Sequence, residues 1–148
     1  MLRTYGPSCD GSLIEATAEK IPDTAAWVDL EEPTAEEEAL VERCIRMDVP
    51  TESEMAEIEP SSRLYERDGA LYMTVSVLYG VQDGEPRTAP ISFVVTDSRL
   101  VTIRYATPKP VRAFAEHARR DPGLGPRARA RHRGRAGCGR RARRLAER

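Results

Sequence analysis

The run Ala70–Gly80, "ALYMTVSVLYG", constrains this chain more than any other stretch. Leu71, Met73, Val75, Val77 and Tyr79 fall on one side of an extended backbone; Tyr72, Thr74 and Ser76 fall on the other. A period of two held over that length is the mark of a β-strand, and a strand needs neighbours to satisfy its backbone groups. Candidates for those neighbours adjoin it. "SSRLYERDGALYMTVSV" reads as a hairpin turned at Asp68-Gly69, and "APISFVVTDSRLVTIRYA" as a second, turned at Asp97-Ser98, with "QDGEPRTAP" as the loop between them.

Upstream, "MLRTYG", "GSLIEA" and "AAWVDL" read as short strands, the first two separated by the turn-rich "PSCDG". Helices follow. Thr34 and Glu37 stand at the spacing of a capping box, and Leu40, Val41, Cys44 and Ile45 then recur at helical intervals. Thr51 and Glu54, after Pro50, make a second box, opening a short helix whose buried side includes Met55 and Ile58. "KPVRAFAEHARRD" is a third helix with Val111, Phe114 and Ala118 on one side. The expected fold class is α/β (α+β): a mixed sheet of about six or seven strands with helices packed on it.

Charge splits the chain in two. Residues 1–121 carry 23 acidic and 13 basic side chains, a net of −10, whereas residues 122–148 carry ten arginines and Glu147, a net of +9. The first segment is read as one domain and the second as an arginine-rich tail. Cys9, Cys44 and Cys138 are odd in number and lack CxxC spacing, which argues against a disulfide framework or a thiolate zinc site. His117 and His132 lie in unrelated contexts, which disfavours a histidine metal site. No signal peptide and no apolar run of membrane-crossing length is seen, so the chain reads as soluble.

Catalytic signatures are missing: there is no GxSxG elbow, Walker loop or HExxH. Ser61-Ser62 have no histidine nearby in sequence and read as a turn, so no enzyme is expected. Arg63 and Arg104 sit within strand patterns and read as structural ion pairs; Trp27 reads as core. The glutamates of "EEPTAEEEA" suit the positive end of a helix dipole, and Glu52, Glu54, Glu57 and Glu59 a helix surface. Mg²⁺ often binds through only one or two carboxylates, so an acidic body permits a site without locating it. No catalytic, cofactor-binding or metal-ligating residue is assigned on these grounds.

Three blocks taken in order carry a family likeness: "WVDLEEPTAEEE", "VPTESEMAEIEPSSRLYERDGALYMT" and "ISFVVTDSRLVTIRYATPKP". Together they resemble the N-terminal cytoplasmic domain of CorA-type magnesium/cobalt transporters, from about Leu2 to Arg120, most specifically over Glu57–Thr74. The resemblance implies a homopentameric channel for divalent cations in the cell membrane, with this domain on the cytoplasmic side. It also implies a stalk helix, two transmembrane helices bearing Gly-Met-Asn, and regulatory Mg²⁺ between neighbouring domains that neutralises facing carboxylates and favours the closed state. No tightly bound cofactor is implied.

Neither Gly-Met-Asn nor a membrane span occurs in this sequence, so the chain alone is expected to be transport-incompetent. From Gly123 onward it uses only Gly, Leu, Pro, Arg, Ala, His, Cys and Glu. That composition suits a GC-rich coding region read out of register, and the expectation is a disordered tail created by a frameshift near Gly123–Pro126. The alternatives are a soluble RNA-binding protein whose arginines contact phosphates non-specifically, and a free-standing metal-sensing module. A sheet face without the helices that normally shield it is expected to expose apolar area and lower solubility.

Overall fold

The structure, a computed structural model, describes residues 1–57 and 63–121. The readings made for Ile58, Glu59, Ser61, Ser62 and the tail from Pro122 onward, with Cys138 and His132, lie outside the described residues.

The elements run β1 (Leu2–Gly6), β2 (Cys9–Ile14), β3 (Trp27–Glu31), α1 (Ala35–Ile45), α2 (Glu52–Glu57), β4 (Leu64–Arg67), β5 (Ala70–Tyr79), a 3-10 turn (Val81–Asp83), β6 (Arg87–Val95), β7 (Leu100–Arg104) and α3 (Lys109–Arg120). They build one seven-stranded sheet in the order β2-β1-β3-β7-β6-β5-β4. Two antiparallel sets, β2-β1-β3 and β7-β6-β5-β4, meet along a single parallel pair that runs from Trp27↔Leu100 to Glu31↔Arg104. Parallel neighbours require a crossover. Here it contains α1, α2 and three strands.

Local chemistry explains most of the boundaries. Asp68 and Gly69, at φ 53° and 80°, form the two-residue turn between β4 and β5; both central residues of such a turn need positive φ. Both capping boxes close. The Thr34 N–H donates to Glu37 Oε2 at 3.0 Å and the Glu37 N–H to Thr34 Oγ1 at 3.4 Å. Thr51 and Glu54 repeat the exchange at 2.8 and 3.4 Å. Two boundaries differ from the sequence reading. β2 begins at Cys9, which shortens the first turn, and β6 begins at Arg87, which draws "RTAP" out of the loop. Pro90 is tolerated in that strand because it lies beyond the last β6–β7 pair, Ile91↔Arg104, where β6 has no neighbour on that side.

One face of the sheet carries the core. Leu2, Val28, Leu30, Val94, Val101 and Ile103 pack there against Leu40 and Val41 of α1 and Met55 of α2. The side of β5 turned to this core is Ala70, Tyr72 and Thr74, not the apolar series that begins at Leu71. Their polar atoms are satisfied: Thr74 and Ser92 hydroxyls bond at 2.6 Å, and the Tyr72 hydroxyl donates to the Asp48 carbonyl at 3.1 Å.

Over β1 and β3 the opposite face is covered by α3. Tyr5 and Trp27 stack at 4.3 Å, Phe114 tilts onto Trp27 at 5.2 Å, and Ala118 is buried between. Over β6, β5 and β4 this face is open, with Leu64, Leu71, Met73 and Val95 at 60, 43, 36 and 42% exposure. Strand register makes them one patch, since Leu64 pairs Met73, Met73 pairs Phe93, and Leu71 pairs Val95. Apolar area is exposed on this face, as the sequence reading expected.

Candidate functional site

Two groups of ionisable side chains stand out, one buried at the parallel seam and one on α1 and α2. The seam group starts from Asp29 in the middle of β3, 1% exposed, and Arg104 at the end of β7, 5% exposed. Arg104 Nε donates to Asp29 Oδ1 at 3.1 Å and Nη2 to Oδ2 at 2.9 Å, the two-pronged geometry for which a guanidinium is suited. Thr102 donates to Asp29 Oδ1 at 2.6 Å, and the Trp27 indole N–H donates to Thr102 at 2.9 Å. Glu31 accepts from Arg104 Nη1 at 2.8 Å. Each of these bonds joins β3 to β7. The same Nη1 reaches the Ala106 carbonyl at 2.9 Å and the Thr107 hydroxyl at 3.0 Å, so one guanidinium also fixes the link into α3.

Burial alone would raise the Glu31 carboxyl, but the hydrogen bonds from Arg104 and Thr107 hold it below its ordinary value. With its partners committed to one another, this network is structural. It sets the register of the seam, the best-attested use of buried ionic groups. The reading of Arg104 as an ion pair therefore stands, as does Trp27 in the core. Arg63 does not follow. It lies just before the edge strand β4 and donates to the Ser76 hydroxyl at 3.3 Å, with no carboxylate partner among the described residues.

On the acidic helices several carboxylates have local work. Glu37, buried at the start of α1, accepts from the Thr34 N–H and from the Met1 ammonium at 2.9 Å. Burial pulls its carboxyl up, but these bonds outweigh burial and hold it below the ordinary value. Glu42 accepts from the Val49 N–H at 3.0 Å, and Glu54 caps α2. Glu38 accepts from the Tyr105 hydroxyl at 3.3 Å. Burial pushes the Glu38 carboxyl up, the charges of Glu42 and Glu54 add to that, and the tyrosine hydroxyl acts against it. Tyr105 is pushed up to about 12 by burial and by Glu38. Glu38 and Glu42 are half-buried, while Glu36, Glu52, Glu54 and Glu57 face solvent.

Sequence reasoning had the acidic residues but not the Glu38–Tyr105 contact, since Tyr105 lies 67 positions from Glu38. Among the described residues no group of three His, Cys, Asp or Glu side chains is placed to hold a metal ion by itself. The donors are nonetheless of the right kind: carboxylate oxygens suit Mg²⁺, which keeps its waters and takes one or two such ligands from a chain. His117 is exposed, Cys9 is buried and Cys44 half-buried, both as free thiols. No described helix is long and apolar enough to cross a membrane.

Comparison with known proteins bears on this geometry. The family described as CorA-like Mg²⁺ transporter protein matches residues 22–128. Magnesium transport protein CorA of Haemophilus ducreyi (strain 35000HP / ATCC 700724) is 26% identical over 125 residues, covering 82% of this chain and 38% of that protein. For the CorA of Haemophilus influenzae (strain ATCC 51907 / DSM 11121 / KW20 / Rd) the identity is 30% over 82 residues, covering 55% of this chain and 26% of the relative. The Escherichia coli (strain K12) protein is 29% identical over 80 residues, with 54% and 25% covered. The chain thus matches between a quarter and two-fifths of the length of these relatives. Among solved structures, the soluble domain of CorA from Methanocaldococcus jannaschii superposes with a TM-score of 0.56 at 15% identity, covering 84% of this chain and 48% of that one. The mixed α/β sheet expected from the sequence is the fold observed, and the family match spans well over half of the chain: this protein belongs to the CorA-like Mg²⁺ transporter family.

Proposed function

We propose that residues 1–121 are the cytoplasmic regulatory domain of a divalent metal ion transporter of this family, with Mg²⁺ or Co²⁺ as cargo. The observation that carries this reading is the family match over residues 22–128, made by a domain whose sheet superposes on a CorA soluble domain. The domain responds to ions through carboxylates on α1 and α2. With no chelating cluster in one chain among the described residues, a bridging Mg²⁺ is shared between copies, each contributing one or two oxygens. Facing carboxylates repel in the absence of the ion and are drawn together by it. The copies form the homopentamer of the family on the cytoplasmic side of the membrane. This stretch performs no catalysis, and conduction belongs to membrane-crossing segments outside it.

The finer reading is that translation leaves its original frame near Gly123–Pro126. Support comes from composition and from the family match, which ends at residue 128, just inside the arginine run. Translating the downstream DNA in its other two frames tests this; absence of a long helix, two apolar spans and Gly-Met-Asn from both frames rejects it.

Sedimentation velocity of the chain with and without Mg²⁺, at constant ionic strength, tests the regulatory reading. Assembly that rises with Mg²⁺ and reverses with chelator is expected. A sedimentation profile indifferent to Mg²⁺, Co²⁺ and chelator defeats the proposal.

A further inference from the structure

A cleft of about 710 Å³ opens between the end of β5, the 3-10 turn, the start of β6 and the first turn of α3. Its charge departs from the rest of the domain. Within a unit of net charge −10, the described residues lining this cleft include Arg87, Lys109 and Arg112, against the single carboxylate Glu85. Glu85 pairs with Arg87, and Lys109 bonds to the neutral Gln82. Among the described residues neither Lys109 nor the Arg112 guanidinium has a carboxylate partner. Both are solvent-accessible. Tyr79, half-buried, supplies a flat apolar wall with a hydroxyl edge.

The volume lies in the range of small-molecule sites, 300–1,000 Å³ on the order of magnitude. Converging cations on two separate elements suit a group that carries two or more negative charges, and guanidinium and ammonium groups both bind phosphate. We propose that this cleft binds a phosphorylated small molecule through a diphosphate group held by Arg87, Lys109 and Arg112, with any organic part against Tyr79. The inference is independent of cation regulation on α1 and α2, which lie on the other face of the sheet.

The experiment is an NMR titration of the full 148-residue chain with inorganic pyrophosphate, ADP and adenosine in low salt, repeated on the doubly substituted Lys109→Glu, Arg112→Glu chain. Acidic residues are favoured in a first helical turn, so the reversal preserves α3, and an unchanged thermal melt checks this. Expected are shifts at the amides of residues 80–85 and 109–112 with pyrophosphate and ADP, and at least a tenfold loss of affinity in the double variant. ADP binding more tightly than pyrophosphate assigns the ligand to nucleotides; equal affinity assigns it to free phosphates. Shifts confined to residues 122–148, or affinity unchanged by the double substitution, place binding on the arginine tail and overturn the proposal. So does the absence of any shift at millimolar ligand.

Discussion

The two halves of the sheet face away from α1 and α2 are opposite in kind. Under α3 the strands bury Asp29, Arg104 and Thr102; a few strands away, Leu64, Leu71, Met73 and Val95 meet solvent. Hydropathy alone assigns these the other way round. What decides is the cover: the charged half is sealed by Trp27, Tyr5 and the helix, and it is admissible only because its members bond to one another. The apolar half has the chemistry of an interior but no covering helix among the described residues. One sheet face can therefore bury ions along its seam and expose apolar side chains beyond it.

Substitutions can break that contrast or sharpen it. The largest effect is expected from Arg104→Met, which leaves Asp29 buried without its counter-charge and costs about 3–5 kcal/mol in urea unfolding. Adding Asp29→Leu to Arg104→Met recovers much of that loss, and a double variant no more stable than the single one contradicts the account of the seam. Trp27→Phe keeps a ring between Tyr5 and Phe114 but removes the N–H that Thr102 accepts; about 1 kcal/mol is expected. Smaller still is Glu38→Gln, which relieves the repulsion from Glu42 and Glu54 and gains a few tenths of a kcal/mol at neutral pH. A carboxyl with a raised folded value opposes folding when ionised. That gain therefore fades as pH falls through the folded value and Glu38 protonates. Glu37 has the opposite sign: its lowered carboxyl stabilises the fold above the ordinary carboxylate range and stops doing so as pH falls through its folded value. The smallest stability change, close to none, is expected for the exposed pair Leu71→Thr with Val95→Thr. In the open half that pair instead lowers self-association, read by light scattering at high concentration; unchanged scattering shows that the patch is not adhesive.

Features set by neighbours in sequence were legible from it. Thr34 with Glu37, Thr51 with Glu54, and Asp68-Gly69 each carry their geometry in a few residues, and each forms as read. Which side of β5 is covered was not legible, because alternation gives two faces without saying where the helices lie. Nor was the partner of Arg104, which stands 75 positions away across the seam. The candidate carboxylates were visible as composition, whereas the contact of Glu38 with Tyr105 joins residues 67 positions apart.

The single parallel pairing also has a consequence for how the molecule is made. During synthesis the N-terminal three strands leave the ribosome with one flank of β3 unmatched, and about seventy further residues must emerge before β7 arrives to close it. Over that interval the nascent chain displays an unpaired edge, which makes this the stage at which chaperone capture or wrong partnering competes with folding.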